Sequence, residues 1–341
     1  MRKDAQGTTV PSSCPSPEDL VPLLFDMPRA QLDTYQGSTP RPADFDEYWA
    51  AGLAELAAVD PAAYTTPAAF EAPFATCSDL WFTGTHGAKI HARLVQPTPA
   101  PTEPGPAVLM FHGLSGRAPD WNAMLAYAAA GITVAALDCR GQGGESEDVG
   151  GVNGWTLRGH IMRGLLHEPA KTYYRQVYLD TKQLARVVFE MDTVDETRVG
   201  ATGGSQGGGL TLACASLEPR IARAAAVFPY LCDYKRVWDL ELAKNAYPDI
   251  EDWFRRFDPL HEREDEVFTK LGYIDVAQLT PRIEAEVLMS TGFEDRICPP
   301  STQFAAYNKI TSRKSLRAYP DFGHEGLPEN EDAVFTFLLG L

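Results

Sequence analysis

The serine at position 205 is embedded in VGATGGSQGGGLTLACAS, residues 199–216, with six glycines around it. Three chemistries suit such a cluster: a phosphate cradle, a tight bend, or an exposed nucleophile. A phosphate loop needs Gly-Lys-Ser/Thr, and the chain has no Gly-Lys pair. A complete GxGxxG is absent as well. Gly203-x-Ser205-x-Gly207 remains, an apolar run before it and a helix-like run after it. That is the pattern of a nucleophile elbow, a sharp strand-to-helix turn that lifts a serine hydroxyl above a sheet edge.

A serine hydroxyl needs a base, and the base needs an acid to orient it. Where a serine elbow heads the set, the chain order is Ser, then Asp or Glu, then His. Only two histidines follow Ser205. His261 lies in the charged run DPLHERED and reads as surface. His324 lies in DFGHEG, just past the strand-like KSLRAYP, where the base belongs. The acid should follow the preceding strand, where GFEDRICPP offers Glu294 and Asp295. Asp321, three residues from His324, reads as a turn residue. An oxyanion needs two backbone donors: the N–H of Gln206, directly after the serine, and one from FHGLSGR, where Leu114 follows His112-Gly113. His112 itself reads as a brace for that loop. Tyr230 could line the acyl pocket or simply fill the core.

Apolar runs ending in Gly, Asp or Pro read as buried strands at 89–96, 107–113, 132–138, 198–204, near 223–232, at 285–292 and at 314–320. Helix-like runs separate them, including 120–131 closed by Gly131, 178–191 with Leu184, Val188 and Met191 on one face, 206–217, and 331–340. Strand–helix alternation of this kind makes an α/β protein, a mostly parallel sheet flanked by helices. About fifty residues, 233–284, interrupt the rhythm as an amphipathic helical insertion. It could pack on the sheet, cap the site, or do both. Residues 22–341 then form one domain behind a polar, Pro/Ser-rich extension, 1–21.

These segments together resemble carbohydrate esterase family seven, the acetyl xylan esterases also called cephalosporin C deacetylases. The resemblance rests on Arg140-Gly141-Gln142, Gly203 to Gly207 and His324-Glu325, and on FHGLSGRAPDWNAMLAYAAAGITVAALDCRGQGG and GFEDRICPPSTQFAAYNKI around them. It implies an α/β-hydrolase fold and a Ser205–His324–Asp295 triad, and it favours Asp295 over Glu294. Gln206 and Leu114 would serve the oxyanion. Arg140, Gly141 and Gln142 would hold loops together beneath the site without a part in the chemistry. Family members usually carry Tyr where this chain has Leu114. The resemblance also implies a homo-oligomer, a hexamer, acting on small acetylated sugars such as xylo-oligosaccharides. The same triad would serve a general short-chain carboxylesterase, a lactonase or a serine peptidase, and a hydrolase-like binding protein would lack triad members.

Composition narrows the partners. Thirty Lys and Arg face 46 Asp and Glu, a net charge of −16, which argues against a nucleic-acid partner. No HExxH occurs, and neither a metal nor a cofactor is expected. The run from Ala123 to Leu137 is too short to span a membrane. The N-terminus lacks the apolar core of a signal peptide. Six scattered cysteines without a CxxC read as reduced, buried thiols, and the expected compartment is the cytoplasm.

Overall fold

A computed structural model describes residues 25–153 and 157–341, together with two short strands near the N-terminus, β1 (Arg2–Lys3) and β2 (Thr9–Val10), which pair antiparallel. The remainder of the expected 1–21 extension, Cys14 included, lies outside the described residues.

Nine strands build the main sheet: β3 (Tyr64–Pro67), β4 (Ala75–Thr83), β5 (Lys89–Pro97), β6 (Gly105–Phe111), β7 (Thr133–Leu137), β8 (Val194–Gly204), β9 (Arg223–Val227), β10 (Glu286–Gly292) and β11 (Lys314–Tyr319). Their order is β11-β10-β9-β8-β6-β7-β5-β4-β3. The six strands from β11 to β7 run parallel, and β5, β4 and β3 close one edge antiparallel. The chain reverses its strand order between β6 and β8, so the carboxyl ends of the central strands open a crevice there. The mostly parallel sheet expected from the sequence is present. The antiparallel pair β3–β4 was not among the strands read from it.

Alternation along the central strands feeds two cores, because successive side chains point to opposite faces. Ala107, Leu109 and Phe111 of β6, with Ala135 and Leu137 of β7, join the larger core. Val108, Val134 and Ala136 join the smaller one. After a short first helix, α1 (Arg29–Leu32), the larger core is covered by α2 (Phe45–Ala57), α4 (Tyr173–Phe189) and α5 (Gln206–Leu217), and the smaller by α3 (Leu125–Ala129) and α11 (Asn330–Leu338). Every residue of α5 is buried, the mark of a helix enclosed on all sides. Helix α4 starts at Tyr173 and stops at Phe189, so Leu184 and Val188 are buried in it while Met191 lies beyond its end.

The insertion between β9 and β10 holds α6 (Tyr234–Asp239), α7 (Pro248–Phe257), α8 (Glu264–Gly272) and α9 (Val276–Leu279). It packs against the helices that flank the sheet. Helix α9 lies against α5 and against α10 (Pro300–Lys309). Tyr247, at the head of α7, reaches the neighbourhood of Cys298 and Asp295.

Candidate active site

Strand β8 ends at Gly204, and the next residue turns sharply. Ser205 adopts φ 58° and ψ −120°, a backbone that a side chain rarely tolerates. Its N–H donates to the Val227 carbonyl at 2.9 Å, and its own carbonyl accepts from Tyr230 N–H at 3.0 Å, so the end of β9 holds the turn on both sides. The flanking glycines are required by closeness. A Cβ on Gly203 would stand 2.5 Å from the Phe111 carbonyl oxygen, and one on Gly207 only 2.0 Å from the same atom. Gly208 and Gly209 press equally hard on the carbonyls of Val227 and Tyr230, whereas Gly204 meets nothing closer than 3.4 Å.

The turn aims Ser205 at His324. Ser205 Oγ lies 3.0 Å from His324 Nε2, and His324 Nδ1 lies 2.8 Å from Asp295 Oδ2. Asp295 is fully buried, which would penalise its charge were its oxygens unpaired. They are paired: Oδ1 accepts the N–H groups of Ile297 at 2.9 Å and Cys298 at 2.8 Å, while Gln303 Nε2 approaches Oδ2 at 3.4 Å. His324 is held on two more sides. Its ring packs on Phe228 with centroids 4.4 Å apart, and Glu325 Oε1 accepts Gly323 N–H at 3.0 Å to close the loop that carries it. Glu325 thus gives the His-Glu pair a structural sense.

Gln206 opens α5, so its N–H has no acceptor within the helix and points with the helix dipole toward the serine. Across from it runs the loop after β6. Ser115 N–H is committed to Gln142 Oε1 at 2.8 Å, and the Gly113 carbonyl accepts from Gly116 N–H and from His112 Nδ1. Leu114 N–H makes no hydrogen bond among the described residues. His112 braces this loop as expected: its Nε2 accepts Cys139 N–H at 3.0 Å, tying the ends of β6 and β7 together. Burial lowers the His112 pKa, which keeps the ring neutral and able to accept.

Beneath these donors sits a polar network. The side chains of Gln142 and Gln206 form a reciprocal amide pair, 2.9 Å from Gln142 Nε2 to Gln206 Oε1 and 3.1 Å in return. Tyr174 donates to Gln206 Oε1 at 2.9 Å, and Tyr173 accepts from Gln142 Nε2 at 3.0 Å while donating to the Arg140 carbonyl. Arg140 is itself buried and grips Asp180 of α4 with two bonds of 2.6 Å. Gly141 takes φ +64°, and a Cβ there would meet Asp148 at 2.8 Å. Losing one partner of so enclosed an ion pair costs about 3–5 kcal/mol.

Other residues missed from sequence share this work. Asp138 accepts from Ala118 N–H at 2.6 Å, Glu145 N–H at 3.0 Å and His91 Nδ1 at 2.6 Å. Burial opposes both charges, yet His91 and the two N–H groups bring the Asp138 pKa down. Asp138 and Asp79 together bring that of His91 up. Asp138 stands in ALDCRGQ two residues before Arg140 of the Arg-Gly-Gln run, and its place there was the available signal.

The remaining candidates fall elsewhere. His261 is exposed, stacked on Phe254 and 3.4 Å from Glu264. Glu294 lends backbone to the turn, its N–H donating to the Phe322 carbonyl. Asp321 is an exposed turn residue. Tyr230 is fully buried with its hydroxyl on the Ala246 carbonyl, a core aromatic and no pocket wall. Cys298 lies beside the site, but burial raises its thiol pKa well above the ordinary value, so it offers no rival thiolate nucleophile.

A profile of the acetyl xylan esterase family matches residues 23–341. The chain belongs to that family. Acetyl xylan esterase 1 from Thermoanaerobacterium sp. JW/SL YS485 is 54% identical to it, covering 93% of this chain and 99% of that one with a TM-score of 0.91. The acetyl xylan esterase from Paenibacillus sp. R4 is 37% identical, covering 92% and 99% with a TM-score of 0.88. The acetyl esterase Axe7A of Xylanibacter ruminicola is 29% identical over 162 residues, 48% of this chain. That match spans about a third, 35%, of the curated relative's length. The likeness to these two acetyl xylan esterases therefore extends over more than nine-tenths of the chain.

Proposed function

We propose that this protein is a serine esterase that removes acetyl groups from small acetylated sugars, acetylated xylo-oligosaccharides above all, and from related esters such as cephalosporin C. The observation that carries this reading is the Ser205–His324–Asp295 hydrogen-bond chain, 3.0 and 2.8 Å long, in a chain of the acetyl xylan esterase family. His324 takes the Ser205 proton as Oγ attacks the acetyl carbonyl. Asp295 keeps the ring in the tautomer that presents a lone pair at Nε2 and stabilises the imidazolium that forms. The oxyanion accepts from the N–H groups of Gln206 and Leu114, each worth about 3–4 kcal/mol of barrier. The sugar alcohol leaves with the proton from His324, and water then releases acetate from Ser205 by the same steps. Arg140, Gly141 and Gln142 hold the loops and touch no reacting atom.

Leu114 favours a second reading, a general short-chain carboxylesterase, because it puts an apolar side chain where the family usually has Tyr. A panel of acyl lengths on sugar, cephalosporin and aryl esters separates the two. Acetyl esters should react at least tenfold faster than butyryl esters, and equal rates would select the general esterase. The resemblance also supports a hexamer, which light scattering after size exclusion tests. Among the described residues, five buried, unpaired cysteines support a cytoplasmic setting.

A further inference from the structure

Asp295, Cys298 and His324 bring a carboxylate oxygen, a thiol sulfur and a ring nitrogen within 4.8 Å of one another. Two of the three already have a part in acyl transfer. The Cys298 side chain has none, since only its backbone N–H supports Asp295. It is fully buried, at the turn between β10 and α10, and the bonds to Asp295 Oδ1 fix that turn. A second observation points into the same spot. Tyr247 is fully buried beside Cys298, and its hydroxyl finds no hydrogen-bond partner among the described residues. Sulfur, imidazole and carboxylate together are the ligand set of zinc and its thiophilic relatives, and not of magnesium or calcium. The net charge of −16 draws cations to the surface, and the half-exposed Ser205 and His324 give them an entry.

We propose that Asp295, Cys298 and His324 form an inhibitory site for a thiophilic divalent cation, Zn²⁺ or Cd²⁺, which stops ester hydrolysis by capturing the base. On binding, the Cys298 S–H bond breaks and its proton leaves to solvent. Bonds from the metal to Sγ, to one Asp295 oxygen and to one His324 nitrogen form, with no change of oxidation state. If Nδ1 takes the metal, its proton moves to Nε2, which then shows Ser205 an N–H in place of a lone pair. If Nε2 takes it, the lone pair itself is occupied. Either way Ser205 loses its base. Ligand distances of about 2.0–2.3 Å require the three side chains to draw in slightly around the ion.

The binding half of this proposal does not depend on the esterase reading, and the test separates them. Cd²⁺ is titrated into metal-free protein while the thiolate-to-cadmium charge-transfer band is followed in the ultraviolet. Hydrolysis of an aryl acetate is measured on the same samples. One equivalent should saturate the band, activity should fall in parallel and return with EDTA, and Mg²⁺ or Ca²⁺ should do nothing. In Cys298→Ala the one-equivalent band should vanish, and the inhibitory Cd²⁺ concentration should rise at least tenfold relative to that variant's own uninhibited rate. His324→Gln should weaken the band's titration at least tenfold, a readout that needs neither catalysis nor a foldable Cys298 variant. No band at one equivalent, or a titration unchanged in His324→Gln, overturns the site. A band with no loss of activity overturns the capture of the base. A protein that binds Cd²⁺ as described but hydrolyses no ester would refute the esterase reading alone.

Discussion

Ser205, His324 and Asp295 meet with hydrogen-bond geometry although 119 and 29 residues separate the bonded pairs. Types and chain order made Ser205 and His324 legible in the amino-acid sequence and narrowed the acid to Glu294 or Asp295, between which the family resemblance chose. The glycines were legible for a steric reason, since Gly203 and Gly207 admit the Phe111 carbonyl where a Cβ would clash. What could not be read was the Gln206 side chain. Its partners Gln142 and Tyr174 come from distant segments, and no spacing marks an amide pair. This pair gives Gln142 a testable positioning role, because it joins the Ser115 end of the proposed oxyanion loop to the first residue of α5. Gln142→Ala should lower kcat for an acetyl ester about ten- to a hundredfold with KM changed less than threefold. The lost bonds hold donors that act most strongly in the transition state. Gln142→Glu, which cannot donate to Gln206 Oε1, should not rescue it. A rise in KM at constant kcat would assign Gln142 to ground-state binding instead.

The buried parallel strands announced themselves as unbroken apolar runs, and their bounds follow closely. Two depart: β8 begins at Val194, four residues before 198, and β9 ends at Val227 rather than near Cys232. Phe228 at φ 32° and Leu231 at φ 70° leave the extended region, and Tyr230 N–H turns back to the Ser205 carbonyl. The elbow thus overrides an apolar run that reads as strand. The pair β3–β4 escaped notice because β3 is exposed along its length and β4 mixes Ser, Asp and Thr among its core residues. Helix α7 carries a further feature invisible in sequence. Its Asp249 is fully buried, accepts Met162 N–H at 2.9 Å, and has no partner for Oδ1 among the described residues. Burial pushes this carboxyl up to about 7. The folded state therefore keeps a proton that the unfolded chain releases near pH 4. The stability this confers is complete below that pH and is lost as pH rises toward and through 7, at up to about 1.4 kcal/mol per unit. Asp249→Asn stays neutral throughout. Urea unfolding should show the variant gaining on the parent protein from pH 5 to about pH 7 and levelling off above it, and a pH-independent difference would show that Asp249 is ionised in the fold.

The nine-stranded sheet, its two cores and the helical insertion put every part of the site at the carboxyl edge of the central strands. Ser205 follows β8, the Leu114 loop follows β6, Asp295 follows β10 and His324 follows β11. That arrangement was legible because strand–helix alternation admits few topologies. The ties beneath it were not. Arg140 to Asp180 and Asp138 to His91 join segments 40 and 47 residues apart through buried charge, and only folded geometry reveals which acid meets which base. The scaffold thereby holds one serine in a strained turn under one histidine, and everything proposed for the protein's activity passes through that hydroxyl. The most direct measurement is to mix the protein with excess aryl acetate, quench in acid within the first turnovers, and map the acetylated peptide by mass spectrometry. An acetyl group on Ser205, absent after Ser205→Ala along with all but about one per cent of turnover, is the expected result. Undiminished turnover in Ser205→Ala, or an acetyl group carried on another residue at the turnover rate, would contradict it.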